Sequence, residues 1–210
     1  MTDALRAGID DLGLAVDGAA QEKLLAYVAL LEKWNRTHNL TAIRDRAQMI
    51  THHLLDSLAV LPYLPVRPGL RVADVGSGGG LPGIPLAIAR PDWDVTLIDS
   101  NHKKAAFLNQ TAIELTLPNV EVLTSRVESV APALPFDVVI SRAYSSLGTF
   151  VTQSARLLAR DGCWVAMKGA IPHDELAALP ADVTVEATPA VRVPGVHGER
   201  HLVIMKTAHP

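Results

Sequence analysis

The segment Asp74 to Gly83, DVGSGGGLPG, constrains this chain more than any other. An apolar run, Arg71 to Val75 (RVADV), leads directly into Gly76, Gly78 and Gly80, and a helix-like segment follows. Strand, tight turn and helix in that order form the entry to a ligand crevice in a parallel sheet. Glycines suit such a turn because a side chain would block a ligand laid across the strand end, and because the backbone can need positive φ there. A chain of this pattern is shaped to hold a cofactor.

Spacing and charge choose among cofactors. A G-x-G-x-x-G fingerprint counted from Gly76 would need glycine at position 81, which is Leu81. The register Gly78, Gly80, Gly83 does fit, but it places Pro82 in the turn and Pro85 just beyond, where a pyrophosphate would want N–H donors. S-adenosylmethionine has no phosphate. Its amino-acid end needs acceptors for an ammonium, which Asp74, two residues before the first glycine, can help supply. The next apolar run, DVTLID, ends at Asp99, where an acid can accept both ribose hydroxyls. Asp74, Gly76, Gly78 and Asp99 are therefore candidate cofactor contacts.

The chain has 210 residues, of which 49% are hydrophobic, enough for a packed core in one or two domains. MTDALRAGIDDLG is not a secretory signal, and no apolar stretch approaches the length of a membrane span. A soluble cytoplasmic protein with no membrane partner is expected. The single cysteine, Cys163, excludes an internal disulfide and a multi-cysteine metal site, and no metal is expected. Cys163 reads as a buried residue at the start of a strand. A net charge of −3 argues against a surface coated in basic residues, so a nucleic-acid substrate would be read locally. Basic clusters exist at Arg36, His38, Arg44 and Arg46, at Lys103 and Lys104, and at Arg192, His197, Arg200 and His201.

Residues before about 68 carry a helical period. Leu24, Val28 and Leu31, with Tyr27, Leu30 and Trp34, make one apolar face, and Asp17 is its candidate N-cap. A second helix is expected from Asp45, with Gln48 in the capping-box position, through Ile50, Leu54, Leu58 and Leu61. Pro62 to Gly69 breaks the pattern, dividing the chain into a helical domain, 1–68, and a second domain, 69–210. Strands are expected near 70–75, 94–99, 119–124, 136–141 and 162–168, with helices between, which implies a parallel sheet covered on both faces. Two last runs, 183–189 and 201–206, can pair antiparallel. The sum is an α/β, Rossmann-like class I methyltransferase fold: a seven-stranded, mostly parallel sheet with an N-terminal helical extension.

In such sheets the ligand lies at the carboxyl ends of the strands. After the third strand, Val127 can pack on an adenine and Glu128 can meet its edge, although Glu128 equally suits a helix start. After the fourth comes SRAY, Ser141 to Tyr144, near the methyl acceptor. It lacks the acid or Asn, two prolines and aromatic typical of amino-group methylases. Carbon-5 methylation usually needs a cysteine nucleophile, and Cys163 lies at the wrong strand end. Acceptors with a usable lone pair remain, together with oxygen and small-molecule acceptors. Arg142 can hold a base or a flanking phosphate, or else pair with Asp74 or Asp99.

The chain resembles the bacterial glucose-inhibited division protein B family, the 16S ribosomal RNA guanine-N7 methyltransferases. The resemblance covers nearly all of it, through KWNRTHNLTAIRD, HHLLDSL, DVGSGGGLPGIPLA, SRVE, SRAY, MKG and GERHLV. It implies S-adenosylmethionine contacts at Gly76, Leu81, Val127, Glu128 and Arg142, with Arg142 also catalytic. It further implies an RNA side comprising the NLTAIRD and HHLLDS segments with Lys168 and Arg200, so that Asn39 and His53 join the candidates beside Arg36 of the basic cluster. His53 and Ser57, one turn apart, can face the cleft, or His53 can be a helix-surface histidine. The implied partner is 16S rRNA within the small ribosomal subunit. The rivals are a small-molecule methyltransferase and, in another class, a nicotinamide-dependent oxidoreductase or nucleotide sensor.

Overall fold

The computed structural model describes residues 2–208. Seven strands form one sheet: β1 (Arg71–Val75), β2 (Asp94–Asp99), β3 (Val120–Thr124), β4 (Phe136–Arg142), β5 (Leu158–Lys168), β6 (Val183–Ala187) and β7 (His201–Thr207). Their order is β3-β2-β1-β4-β5-β7-β6. β1 to β5 run parallel, and β7 is antiparallel to both β5 and β6. The order reverses beside β1, so the crevice opens where β1 and β4 part.

Alternation along the central strands divides the core in two. Val72, Leu97, Ile140 and Val165 face one layer, and Ala73, Ile98, Val139 and Trp164 face the other. The first layer is covered by α1 (Thr2–Asp11), α2 (Gly18–His38), α3 (Arg46–Met49), α4 (Asp56–Leu58), α5 (Gly83–Ala89) and α6 (His102–Glu114). The second is covered by α7 (Leu147–Ser154), with α8 (His173–Ala177) beside it. One hydrophobic cluster runs from Leu5 and Leu24 through Leu64 to Leu70, Ile84 and Val165.

Local chemistry accounts for the helix starts. Asp17 Oδ1 accepts the Ala20 amide at 2.7 Å, and Asp45 Oδ1 accepts the Gln48 amide at 2.8 Å, so each satisfies an otherwise orphaned donor. The second expected helix departs from a simple α-helix, because α3 widens into a π-helical stretch, Ile50–Leu55, before closing as α4. π-turns of this kind often mark functional sites.

The start of one strand also differs from expectation. β5 begins at Leu158, because an irregularity between Phe136 and Val138 lets Leu158 pair with Phe136 before Cys163 pairs with Val138. Cys163 is thus mid-strand and buried, and burial pushes its thiol up to about 11. A thiol held protonated there is no nucleophile.

Candidate functional site

At the carboxyl ends of β1, β2 and β3, and beside the turn after β4, lies a cleft of about 310 Å³. Its lining includes Gly76, Asp99, Val127, Glu128 and Tyr144. Gly76 has φ 70°, and a Cβ there would stand 2.6 Å from the Tyr144 ring. Only glycine fits both the backbone and the space.

Most amides of the glycine turn are already spent. Gly76 and Ser77 donate to the Ile98 carbonyl, at 2.8 and 3.2 Å. Gly80 and Leu81 donate to the Ser77 carbonyl, at 2.7 and 3.1 Å. Gly78 donates to Asp99 Oδ2 and Gly83 to Asp74 Oδ2, each at 2.9 Å, and Pro82 has no N–H. A pyrophosphate held on a glycine turn needs such donors free. This turn suits a ligand without phosphates.

Asp99 closes β2 with Oδ2 on Gly78 and Oδ1 accepting from the Asn101 amide at 2.8 Å. Each carboxylate oxygen has a second lone pair, so a pair of vicinal hydroxyls can still be bound. Val127 is buried on the cleft wall, and the Glu128 side chain remains partly exposed beside it.

Four residues expected from sequence as cofactor contacts, Asp74, Gly78, Leu81 and Arg142, do not line this cleft. Asp74 is wholly buried beneath the turn, with Oδ2 on Gly83 and Oδ1 unpartnered, because its position in β1 faces the start of α5. Burial pushes its carboxyl up to about 7, offset in part by the Gly83 amide. Leu81 joins the core instead of the cleft lining. Gly78 contributes through its grip on Asp99.

Arg142 ends β4, next to the cleft residue Ala143. Its partner is neither Asp74 nor Asp99: Nη1 donates to Oδ2 of Asp56 at 3.2 Å and to the His52 carbonyl at 3.0 Å. Arg200 Nε takes the other oxygen of Asp56 at 2.9 Å. Asp56 thus joins Arg142 at the site, a residue that sequence reasoning named only within the HHLLDS segment. Its only signal was membership of HHLLDSL, since nothing local marks a carboxylate that pairs with residues far along the chain.

The expected RNA side divides into open and occupied groups. Asn39 is exposed at the left-handed end of α2, and the Arg36 side chain is 75% exposed with a 3.4 Å contact to Glu32. Lys168 Nζ is held between both oxygens of Glu175, at 2.8 and 3.0 Å, and the Ser145 carbonyl. His53 is buried, not on the helix surface, with Nε2 on Thr41 Oγ1 at 2.8 Å. Burial, reinforced by the Arg142 charge, holds it down to about 4. A neutral ring packed inside supports the NLTAIRD segment through Thr41. Ser57, its expected companion, is buried too.

Among the described residues, no helix is long and apolar enough to cross a membrane, and no cluster of His, Cys, Asp and Glu could hold a metal ion. The sheet and its covering helices are similar to those of a methyltransferase described as S-adenosylmethionine-dependent from Aquifex aeolicus, with a TM-score of 0.59 at 19% identity, covering 86% of this chain and 98% of that one. The ribosomal RNA small subunit methyltransferase G of Laribacter hongkongensis is 51% identical over 203 residues, covering 97% of each chain. That of Neisseria gonorrhoeae is 53% identical over 203 residues, again covering 97% of each. The family model for GidB, rRNA small subunit methyltransferase G, matches residues 20–203, and the chain belongs to that family.

Proposed function

We propose that this protein methylates N7 of one guanosine in 16S rRNA, with S-adenosylmethionine as methyl donor and the small ribosomal subunit as substrate, in the cytoplasm. The observation that carries the reading is the cleft beside Arg142, whose glycine turn has most of its amides engaged and whose polar wall is Asp99. In this reading residues 1–68 form a helical RNA-facing domain beside the methyltransferase domain, 69–210.

The residues present fit the donor. Gly76 leaves room for it against the backbone, Asp99 accepts from the ribose hydroxyls, Val127 packs on the adenine and Glu128 meets its edge. When bound, S-adenosylmethionine supplies a methyl group activated on a sulfonium. Guanine N7 carries an unprotonated in-plane lone pair at neutral pH, so the chain needs no general base, and alignment carries the rate. Arg142 performs that alignment, presenting a rigid fork of donors to guanine O6 or to the flanking phosphate. A base within folded RNA has to be turned outward to meet it.

Incubating the protein with unmethylated small subunits and labelled donor, then mapping the labelled nucleotide, tests the assignment. Label on one guanosine at N7 is expected, and label on another position overturns it. A thermal shift separates the oxidoreductase rival, because a ligand of the folded state raises apparent stability. Stabilisation by NADH but not by S-adenosylmethionine would reverse the choice.

A further inference from the structure

The side chain of Asp56 meets two guanidiniums that come from distant parts of the chain to the same end of the sheet. Arg142 arrives from the end of β4 and Arg200 from just before β7, and each takes one oxygen of the same carboxylate. Asp56 is buried, whereas the Arg142 and Arg200 side chains keep 23% and 30% of their surface. The carboxylate is the anchor, and the arginines are the exposed part.

The π-turn makes this anchor possible. In an ordinary α-turn the Asp56 amide would pair with the His52 carbonyl; here it reaches the carbonyls of Thr51 and His53. The His52 carbonyl instead accepts Arg142 Nη1, so one nitrogen is held by two acceptors of the same helix. Among the described residues, no hydrogen-bond acceptor meets Nε or Nη2 of Arg142, or Nη2 of Arg200. Two cations sharing one carboxylate leave a net positive node with free donors, which is a site for an anionic group such as an RNA phosphate.

From this geometry we infer that Asp56 is a positioning residue for methyl transfer: it holds Arg142 and Arg200 in one fixed arrangement against the RNA next to the donor cleft. The inference rests on the functional reading above. Asp56 touches no substrate and acts through the two arginines. A rigid guanidinium that must meet a base or phosphate loses rate steeply when misplaced by as little as an ångström.

The test compares wild type with Asp56→Asn and Asp56→Glu on unmethylated small subunits, measuring kcat, KM and the dissociation constant for S-adenosylmethionine. Asp56→Asn removes the charge but leaves both arginines partly solvated. Its donor affinity is expected to stay within about twofold and its RNA binding to be unweakened, while kcat falls about tenfold or more. Asp56→Glu keeps the charge, displaces it by one methylene, and is expected to fall between; it decides the matter should Asp56→Asn not fold. In an Arg142→Lys background, Asp56→Asn is expected to cost much less than in wild type, since both act through one group.

A wild-type kcat in either folded variant overturns the inference. So does a loss of donor affinity in step with melting temperature, which is what a purely structural role would produce. If wild type labels no small-subunit RNA, the functional reading itself fails, and the Asp56 role fails with it. If wild type labels the RNA and Asp56→Asn matches it, only the Asp56 role is lost.

Discussion

The Gly83 amide donates to Oδ2 of Asp74 at 2.9 Å, and a Cβ added to Gly83 would stand 2.7 Å from that same oxygen. The contact ties the start of α5 to the end of β1 and closes the glycine turn from below. The added Cβ would also lie 2.3 Å from Leu97 Cδ2. Gly83→Ala is therefore expected to cost about 1–3 kcal/mol through overpacking. Urea denaturation reads this directly, and an unchanged midpoint would show that the turn has slack.

Arg142→Ala is expected to lower methyl transfer by roughly 100-fold or more, the scale seen when one preorganised donor is removed from a reacting centre. The fold should persist, because Asp56 keeps its 2.9 Å contact with Arg200. Transfer assays alongside circular-dichroism melting check both halves. An unaffected rate would remove Arg142 from the site.

Asp99→Asn keeps an acceptor for the Gly78 amide but loses the charge that strengthens bonds to ribose hydroxyls. Affinity for S-adenosylmethionine is expected to weaken about tenfold, since hydrogen bonds to a charged group contribute about 1.5–3 kcal/mol. Calorimetry measures it. Binding as tight as wild type would place the ribose elsewhere.

Tyr27 of α2 donates its hydroxyl to the Gly79 carbonyl at 2.6 Å in a fully buried setting. Tyr27→Phe leaves that carbonyl without its partner, and a loss of about 1–2 kcal/mol is expected. The consequence should extend to the glycine turn, so donor affinity is expected to fall along with stability. Paired denaturation and binding curves show whether the two move together.

Two buried groups give stability opposite slopes with pH. His53 titrates at about 4 in the fold against an ordinary 6.5, so between those values the unfolded chain takes up a proton that the folded chain refuses. Stability is lost as pH falls through that window. Asp74 titrates at about 7 against 3.8, keeping its proton in the fold where the unfolded chain has lost it, so its contribution is lost as pH rises from 3.8 to 7. His53→Asn removes the first effect alone. Its stability deficit relative to wild type is expected to shrink as pH is lowered from about 6.5 to about 4.5. Urea midpoints across that range decide it, and a deficit independent of pH would contradict a neutral buried ring.

Local chemistry was legible in the residues themselves. Asp17 and Asp45 cap helices because their carboxylates reach amides three residues on, and β1 and β2 end at the glycine turn and Asp99 as their alternation and flanks require. The prolines around Gly83 signalled a turn with few free amides, although the Gly76, Ser77 and Gly78 amides are engaged only because β2 lies beside the turn. The two-faced sheet also follows from period-two burial along each strand.

What remained hidden depends on which distant segments share a space. Arg142 finds Asp56, 86 residues earlier, and Asp56 finds Arg200, 144 residues later, because a π-turn, the end of β4 and the approach to β7 converge at one end of the sheet. Asp74 turns under α5, and His53 turns inward to Thr41, for the same kind of reason. A side chain's type sets which bonds it can make. Only the packed chain decides which partner is near enough, and whether water is excluded around them, and those two conditions determine the charge, orientation and availability of each group in the site.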